Sequence, residues 1–237
     1  MSRLIKLQIS NVFYNKMFYV CLGLTLLMSP ILTFIISLNM PSTTIKVFPE
    51  IISFMAVDSG LISAIFIALF FCFDFSEGTT KNIIARGYTR TQLLISKYVA
   101  SFVGVAAMHL ASCLLIFILF INNGLGYEDG MIYSLINSIL YAITYLFFYG
   151  TMSFLLEKNG SAIVACIFVP SIIPAVLGLI DTYFKINIAK FWIDNLSNKL
   201  IEKPSLANLG LPVTFYIIYI IAFIAAGIYL SKRKEIK

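Results

Sequence analysis

Asp74 to Lys97 reads DFSEGTTKNIIARGYTRTQLLISK. It is a long charge-bearing segment flanked on both sides by apolar runs able to span a bilayer, and its punctuation is not that of a loose linker. Gly87 occupies the position just past a helix C-cap, where a left-handed residue is wanted. Thr89, with Gln92 three residues on, forms the S/T-x-x-E/Q capping box that opens a new helix, and Tyr88 and Leu93 stand at the N′ and N4 positions of a hydrophobic staple. The pattern predicts a short helix from about Glu77 to Arg86, joined at a set angle to a long helix that follows.

The surrounding composition excludes a soluble domain. Of the 237 residues, 60% are hydrophobic and 12% charged, and the mean hydropathy is +0.94; soluble domains run nearer half apolar and a quarter charged. Crossing the hydrocarbon core takes roughly 20 apolar residues in a helix. Six runs reach that size: Met17 to Leu38, Phe54 to Phe73, Tyr98 to Ile121, Met131 to Leu156, Ser161 to Ile180 and Leu211 to Leu230. They are continuous, without the alternation of barrel strands. The expected fold is therefore all-α, a polytopic membrane protein of six transmembrane helices forming a single domain over residues 1–237.

Orientation follows from the basic residues. With six spans both termini share a side, and that side carries Arg3, Lys6, Lys16, Lys81, Arg86, Arg90, Lys97, Lys158, Lys232, Arg233, Lys234 and Lys237; the other carries Lys46, Lys185, Lys190, Lys199 and Lys203. The positive-inside rule places the termini and the 74–97 loop in the cytoplasm of a cell whose plasma membrane the chain crosses. The net charge of +6 then reads as topology and attraction to anionic membrane lipid, not as a nucleic-acid footprint.

Outside the spans, Ser2 to Lys16 groups Leu4, Ile5, Ile9, Val12 and Phe13 on one half of a helical wheel, as an N-terminal interfacial helix does, although Gln8 and Lys16 interrupt the apolar side. Between spans five and six, Ile188, Phe191, Trp192 and Leu196 recur at helical spacing, predicting an extracellular helical excursion along or into the outer interface. Pro170, Pro174 and Gly178 predict a kink or break in span five.

Polar residues inside the spans are the candidates for a substrate path. Asp58 lies about 15 residues from Phe73, roughly 22 Å along the helix and short of the roughly 30 Å core. It either faces an outward cavity as an intramembrane carboxylate or reaches the outer interface. Asn137, Tyr141, Tyr145 and Tyr149 form an i, i+4 stripe that either lines a translocation route or bonds across a helix interface. His109, the one histidine, has no ligand-spaced neighbour and reads as a hydrogen-bonded packing residue. Cys21, Cys72, Cys113 and Cys166 fall one to a span and suit neither a metal site nor a disulfide framework. No G-x-x-x-x-G-K-[ST] or H-E-x-x-H motif occurs, and no Ser or Cys nucleophile stands with a base, so enzyme readings are weak.

Glu77-Gly78-Thr79, Lys81-Asn82, Gly87, Thr89-Arg90-Thr91 and Lys97 resemble the E-G-T, basic, G-x-[ST]-R, K pattern between spans two and three of the permease subunits of ABC type-2 exporters. Within that family the chain looks like the small permeases of Gram-positive peptide and lantibiotic export or immunity systems, and the layout of interfacial helix, six spans and excursion extends the likeness over nearly the whole chain. The resemblance implies that the loop is a coupling helix seated in a separate ATPase subunit, with Glu77, Gly78, Thr79, Lys81, Asn82, Arg86, Gly87, Thr89 and Arg90 at the contact. It implies two permease chains, identical or paralogous, working with two ATPase domains. The partner would bind ATP and Mg, this chain would bind no cofactor or metal, and the cargo would be a peptide or another amphipathic substrate. The alternative is an ATP-independent carrier or a stand-alone bacteriocin-immunity protein.

Overall fold

The computed structural model describes residues 1–39, 47–122, 131–202 and 205–233. Among the described residues there are helices and no strands. They are α1 (Ser2–Tyr14), α2 (Lys16–Asn39), α3 (Val47–Ser76), α4 (Thr79–Ala85), α5 (Arg90–Asn122), α6 (Met131–Leu156), α7 (Asn159–Phe184), a 3-10 turn at Ala189–Phe191, α8 (Ile193–Glu202) and α9 (Leu206–Arg233).

Each of the six apolar runs is helical, because hydrocarbon offers a backbone no other partner than itself. Four helices, α5, α6, α7 and α9, are long and apolar enough to cross a membrane, and a fifth crossing is reached if Gly60–Ser76 of α3 and the bent α4 count as one span. α2 contributes a shorter apolar stretch, Lys16–Met28. Of the kink or break that its prolines predict in span five, the break does not occur: α7 runs continuously through Pro170 and Pro174. A proline removes one intrahelical bond, which a long apolar helix tolerates in a setting where no competing donor or acceptor draws the backbone away.

α3 and α6 are the central pair, with α2, α5 and α7 packed on α3 and α9 on α6. Along α3, Ala64, Phe66, Ile67, Ala68, Phe71 and Cys72 are wholly buried, a distribution all round the helix that fits its central position. Glycines set the closest approaches. At Gly150 on α6, an added Cβ would lie 2.6 Å from Tyr98 Cε1 and 2.9 Å from Phe71 Cζ, so two aromatic rings sit where any side chain would stand. At Gly104 on α5 the neighbours are Phe66 and Val12, and Ala100 one turn before is fully buried. Ala100 and Gly104, a small-xxx-small pair, thus form a packing surface, which matters where van der Waals contact, not water, drives helices together.

α1 packs across α5 through Leu4, Gln8 and Val12, spaced four apart and all buried. α8 is a helix between α7 and α9, and it packs against α3, α6 and α9. Its Ile193, Leu196 and Leu200 are buried, as is Trp192 just before it. Ile188, expected on the same helix, precedes the 3-10 turn and is exposed.

Candidate functional site

The site is the junction at which α3 ends, α4 turns away and α5 begins. α4 is bent 67° from Gly60–Ser76, and the bend is made by Gly78 at φ +67°, a left-handed conformation that a Cβ disfavours. The α3 backbone carries on to Glu77, whose amide still bonds Phe73 O at 3.0 Å. α4 therefore runs over Thr79–Ala85 and not Glu77 to Arg86: Glu77 hangs from the end of α3, and Arg86 is the C-cap of α4.

The far side of the junction follows the sequence pattern closely. Gly87 adopts φ +88° and its amide donates to Ile84 O at 2.9 Å, closing α4 with a left-handed residue. Thr89 and Gln92 form the reciprocal box: Thr89 N donates to Gln92 Oε1 at 3.0 Å, and Gln92 N donates to Thr89 Oγ1 at 3.2 Å. Leu93, the inner member of the expected staple, is fully buried. One further bond ties the start of α5 to α9, Thr91 Oγ1 to Ser231 Oγ at 3.0 Å.

What holds the three helices together is an ion pair formed by the two ends of the quoted stretch. Lys97 Nζ lies 2.9 Å from Asp74 Oδ2, with side-chain exposures of 0% and 8%. The ammonium has three protons, and it also donates to Phe70 O at 3.0 Å and Phe71 O at 2.8 Å. The rings of Phe70, Phe71 and Phe75 surround it with centroids at 5.3, 5.6 and 5.9 Å. A buried cation is tolerable only when paired and fully hydrogen-bonded, and this one is. Asp74 is equally engaged: Oδ2 also accepts from Gln8 Nε2 at 3.1 Å, and Oδ1 accepts from Thr79 Oγ1 at 2.8 Å. Its main-chain oxygen, one of the last carbonyls of α3 and so without a helical partner, accepts from Thr80 Oγ1 at 3.0 Å and Thr79 Oγ1 at 3.2 Å.

Asp74 thus gathers α1, α3, α4 and α5 on one carboxylate. The sequence pattern reads Asp74 and Lys97 as the polar ends of a loop, Lys97 also as the last residue of the family pattern, and Gln8 as an interruption of an amphipathic helix. The available signal was that opposite charges close both ends of the segment where two spans meet it, with Gln8 the polar residue on the otherwise apolar face that must dock there.

Of the residues the family pattern singles out, the bend presents Glu77, Gly78, Lys81, Asn82, Arg86, Gly87 and Thr89 on its exposed surface. Thr79 turns inward to Asp74. Arg90 is half-buried and its Nε is a buried donor without a partner among the described residues.

The second set of candidates lies at the opposite end of α3 and along α6. Asp58 is in the helical backbone of α3, and its side chain lies outside the described residues. The α6 stripe faces α8 and α9. Tyr141 and Tyr145 hydroxyls both donate to Asp194 Oδ1, at 2.9 and 2.6 Å. Asn137 Nδ2 donates to Ser197 Oγ at 2.9 Å, and Asn137 Oδ1 accepts from Tyr216 on α9 at 2.9 Å. Tyr149 stacks on Tyr145 with centroids 5.3 Å apart. His109 Nε2 meets Ser138 Oγ at 3.1 Å, a bond between α5 and α6. Among the described residues no group of three His, Cys, Asp or Glu stands together as a metal would need.

The fold and this junction define an all-helical, multi-pass membrane protein with a sharply bent helical segment projecting from one end of its bundle. The chain belongs to the family described as "Protein of unknown function (DUF2705)", whose model matches residues 17–237, from the start of α2 onward. No curated protein matches it.

Proposed function

We propose that the protein is the transmembrane permease subunit of an ATP-driven exporter of the ABC type-2 kind, coupled to a separate ATPase subunit through α4. The observation that carries this reading is the junction itself. A short helix with an exposed polar face is set across the end of a span and clamped to two long helices by a buried ion pair, two left-handed glycines and a capping box. Such an element transmits a push as a rigid body, where a flexible loop would absorb it. Glu77, Lys81, Asn82 and Arg86 form the face offered to the ATPase.

In this reading α2 and α3 are full crossings, giving six spans, and both termini lie with α4 on the cytoplasmic side of the plasma membrane, as the positive-inside rule requires. α8 is then the extracellular excursion. Its hold on Tyr141 and Tyr145 makes it an outer seal, and cargo, a peptide or similar amphipathic molecule, leaves when α8 lifts from the α6 stripe. Asp58 stands on the helix beside that exit. ATP and Mg belong to the partner, and a second permease chain completes the transporter.

Affinity purification in detergent tests the reading. The native chain brings down a P-loop ATPase, whereas Glu77→Lys, which reverses an exposed charge, and Gly87→Pro, which demands φ near −65° where the native residue has +88°, lose it while still inserting into the membrane. Undiminished ATPase recovery with both variants refutes the proposal. Full activity of the chain expressed without any ATPase points instead to an ATP-independent carrier or a self-standing immunity protein.

A further inference from the structure

A cavity of about 640 Å³ lies between α1, the start of α2, the end of α3 and α4. We infer that it is a binding site for the headgroup of an anionic phospholipid. Its volume is within the roughly 300–1,000 Å³ of small-molecule sites. The inference requires only that the chain sits in a membrane; Asn82 and Arg86, which the exporter reading offers to the ATPase, also line this cavity, and lipid retention is read on the chain alone.

The chemistry of the walls selects the ligand. Lys16, at the start of α2, and Arg86, at the end of α4, both line the cavity and are exposed cations that form no ion pair among the described residues. Asn11 and Asn82 add amide groups that make no hydrogen bond within the described chain. Asn15 spends its Oδ1 on the amide of Met17 at 2.9 Å, which leaves Nδ2, a donor, as the group it can offer. The one carboxylate on the lining, Asp74, is neutralised by Lys97 and saturated by Gln8 and Thr79. The cavity therefore offers two positive charges and several donors, with no uncompensated negative charge. A phosphodiester with a small polar headgroup satisfies that set.

The surroundings select a lipid over a soluble phosphate. Asp74 lies at the end of the apolar run of α3, so the cavity is at the level where hydrocarbon gives way to polar groups. The same lining carries Leu7, Tyr14 and Phe73, which are exposed apolar side chains. Phe13, Met17, Tyr19 and Val20 are further exposed apolar side chains on α1 and α2. An acyl chain lies against these side chains while its phosphate sits between Lys16 and Arg86. A lipid so placed touches both α1 and α4, and its occupancy bears on the position of α4.

Native mass spectrometry of the full chain, released from micelles doped with phosphatidylglycerol, phosphatidylcholine or soluble glycerol 3-phosphate, tests this. One phosphatidylglycerol is expected to be retained, in clear preference to phosphatidylcholine, with no retention of glycerol 3-phosphate. The double variant Lys16→Gln/Arg86→Gln should weaken retention roughly 10- to 30-fold, the loss expected when two cations beside an anionic headgroup are removed. Lys6→Gln/Lys81→Gln removes two exposed cations that do not line the cavity and should leave retention unchanged. Equal losses in both double variants would mean diffuse surface attraction and overturn the site. Equal retention of phosphatidylcholine, or of glycerol 3-phosphate, overturns the assignment of an anionic lipid.

Discussion

Replacing Lys97 by Met keeps the length and most of the volume of the side chain and removes its charge. In the native protein the ammonium makes three contacts, to Asp74 Oδ2, Phe70 O and Phe71 O. The two carbonyls belong to the body of α3 and keep their helical partners. The Asp74 carboxylate does not fare so well: its side chain is 8% exposed, and only Gln8 and Thr79 remain to solvate it. Breaking a buried pair in this way is expected to cost about 3–5 kcal/mol, most of it from the uncompensated charge. At roughly 2–4 °C per kcal/mol for a chain of this size, thermal unfolding in detergent should shift down by about 6–20 °C. The decisive comparison is Asp74→Asn/Lys97→Met. Asn keeps the shape, its Oδ1 still accepts from Thr79, and its Nδ2 donates to Gln8 Oε1 once that amide is flipped, so the double variant should recover most of the loss, since exchanging a buried pair for neutral groups is often near neutral. If Lys97→Met unfolds within a degree of the native protein, or if the double variant is no more stable than either single one, the pair is not the clamp described here.

The glycine contacts supply an opposed pair of outcomes. Gly150→Ala forces a Cβ against Tyr98 and Phe71 and should lose about 1–3 kcal/mol by overpacking, whereas Gly23→Ala, with open space around it, should gain roughly 0.5–1 kcal/mol from helix propensity; the same unfolding assay reads both. Tyr145→Phe removes the 2.6 Å bond to Asp194 and should cost about 1.5–3 kcal/mol, seen as faster hydrogen exchange in α8 with exchange in α4 unchanged; equal acceleration in both would mean that α8 is not held locally. Thr89→Ala and Gln92→Ala each break one half of the reciprocal box. Each should cost roughly 1 kcal/mol, the pair less than the sum, and a strictly additive cycle would argue that the two bonds do not support one another.

How much of this was legible beforehand depends on the range over which each interaction acts. The helical class followed from the length and continuity of the apolar runs, because a bilayer leaves an unpaired backbone no alternative. The junction after α4 was legible to the residue: Gly87, Thr89 and Gln92 act on groups within five positions of one another, so a linear pattern contains the whole interaction. The same locality explains the misplaced start of α4. Gly78 could be read as a family residue, but whether it continues α3 or turns the chain depends on a left-handed φ that the sequence permits without requiring.

The quoted stretch, by itself, determined that a polar segment is bounded by spans and opens a helix at Thr89. Only the tertiary structure decided that its two ends meet as the buried pair Asp74 and Lys97 and that Gln8, 66 residues away, completes the shell. It likewise decided that the α6 stripe grips α8 through Asp194 and Ser197. Periodicity states which residues share a face of one helix and is silent on what that face meets. The partner is chosen by packing between helices, and close approach is permitted at glycines 104, 150 and 227, where the absence of a side chain lets the neighbouring side chains close in.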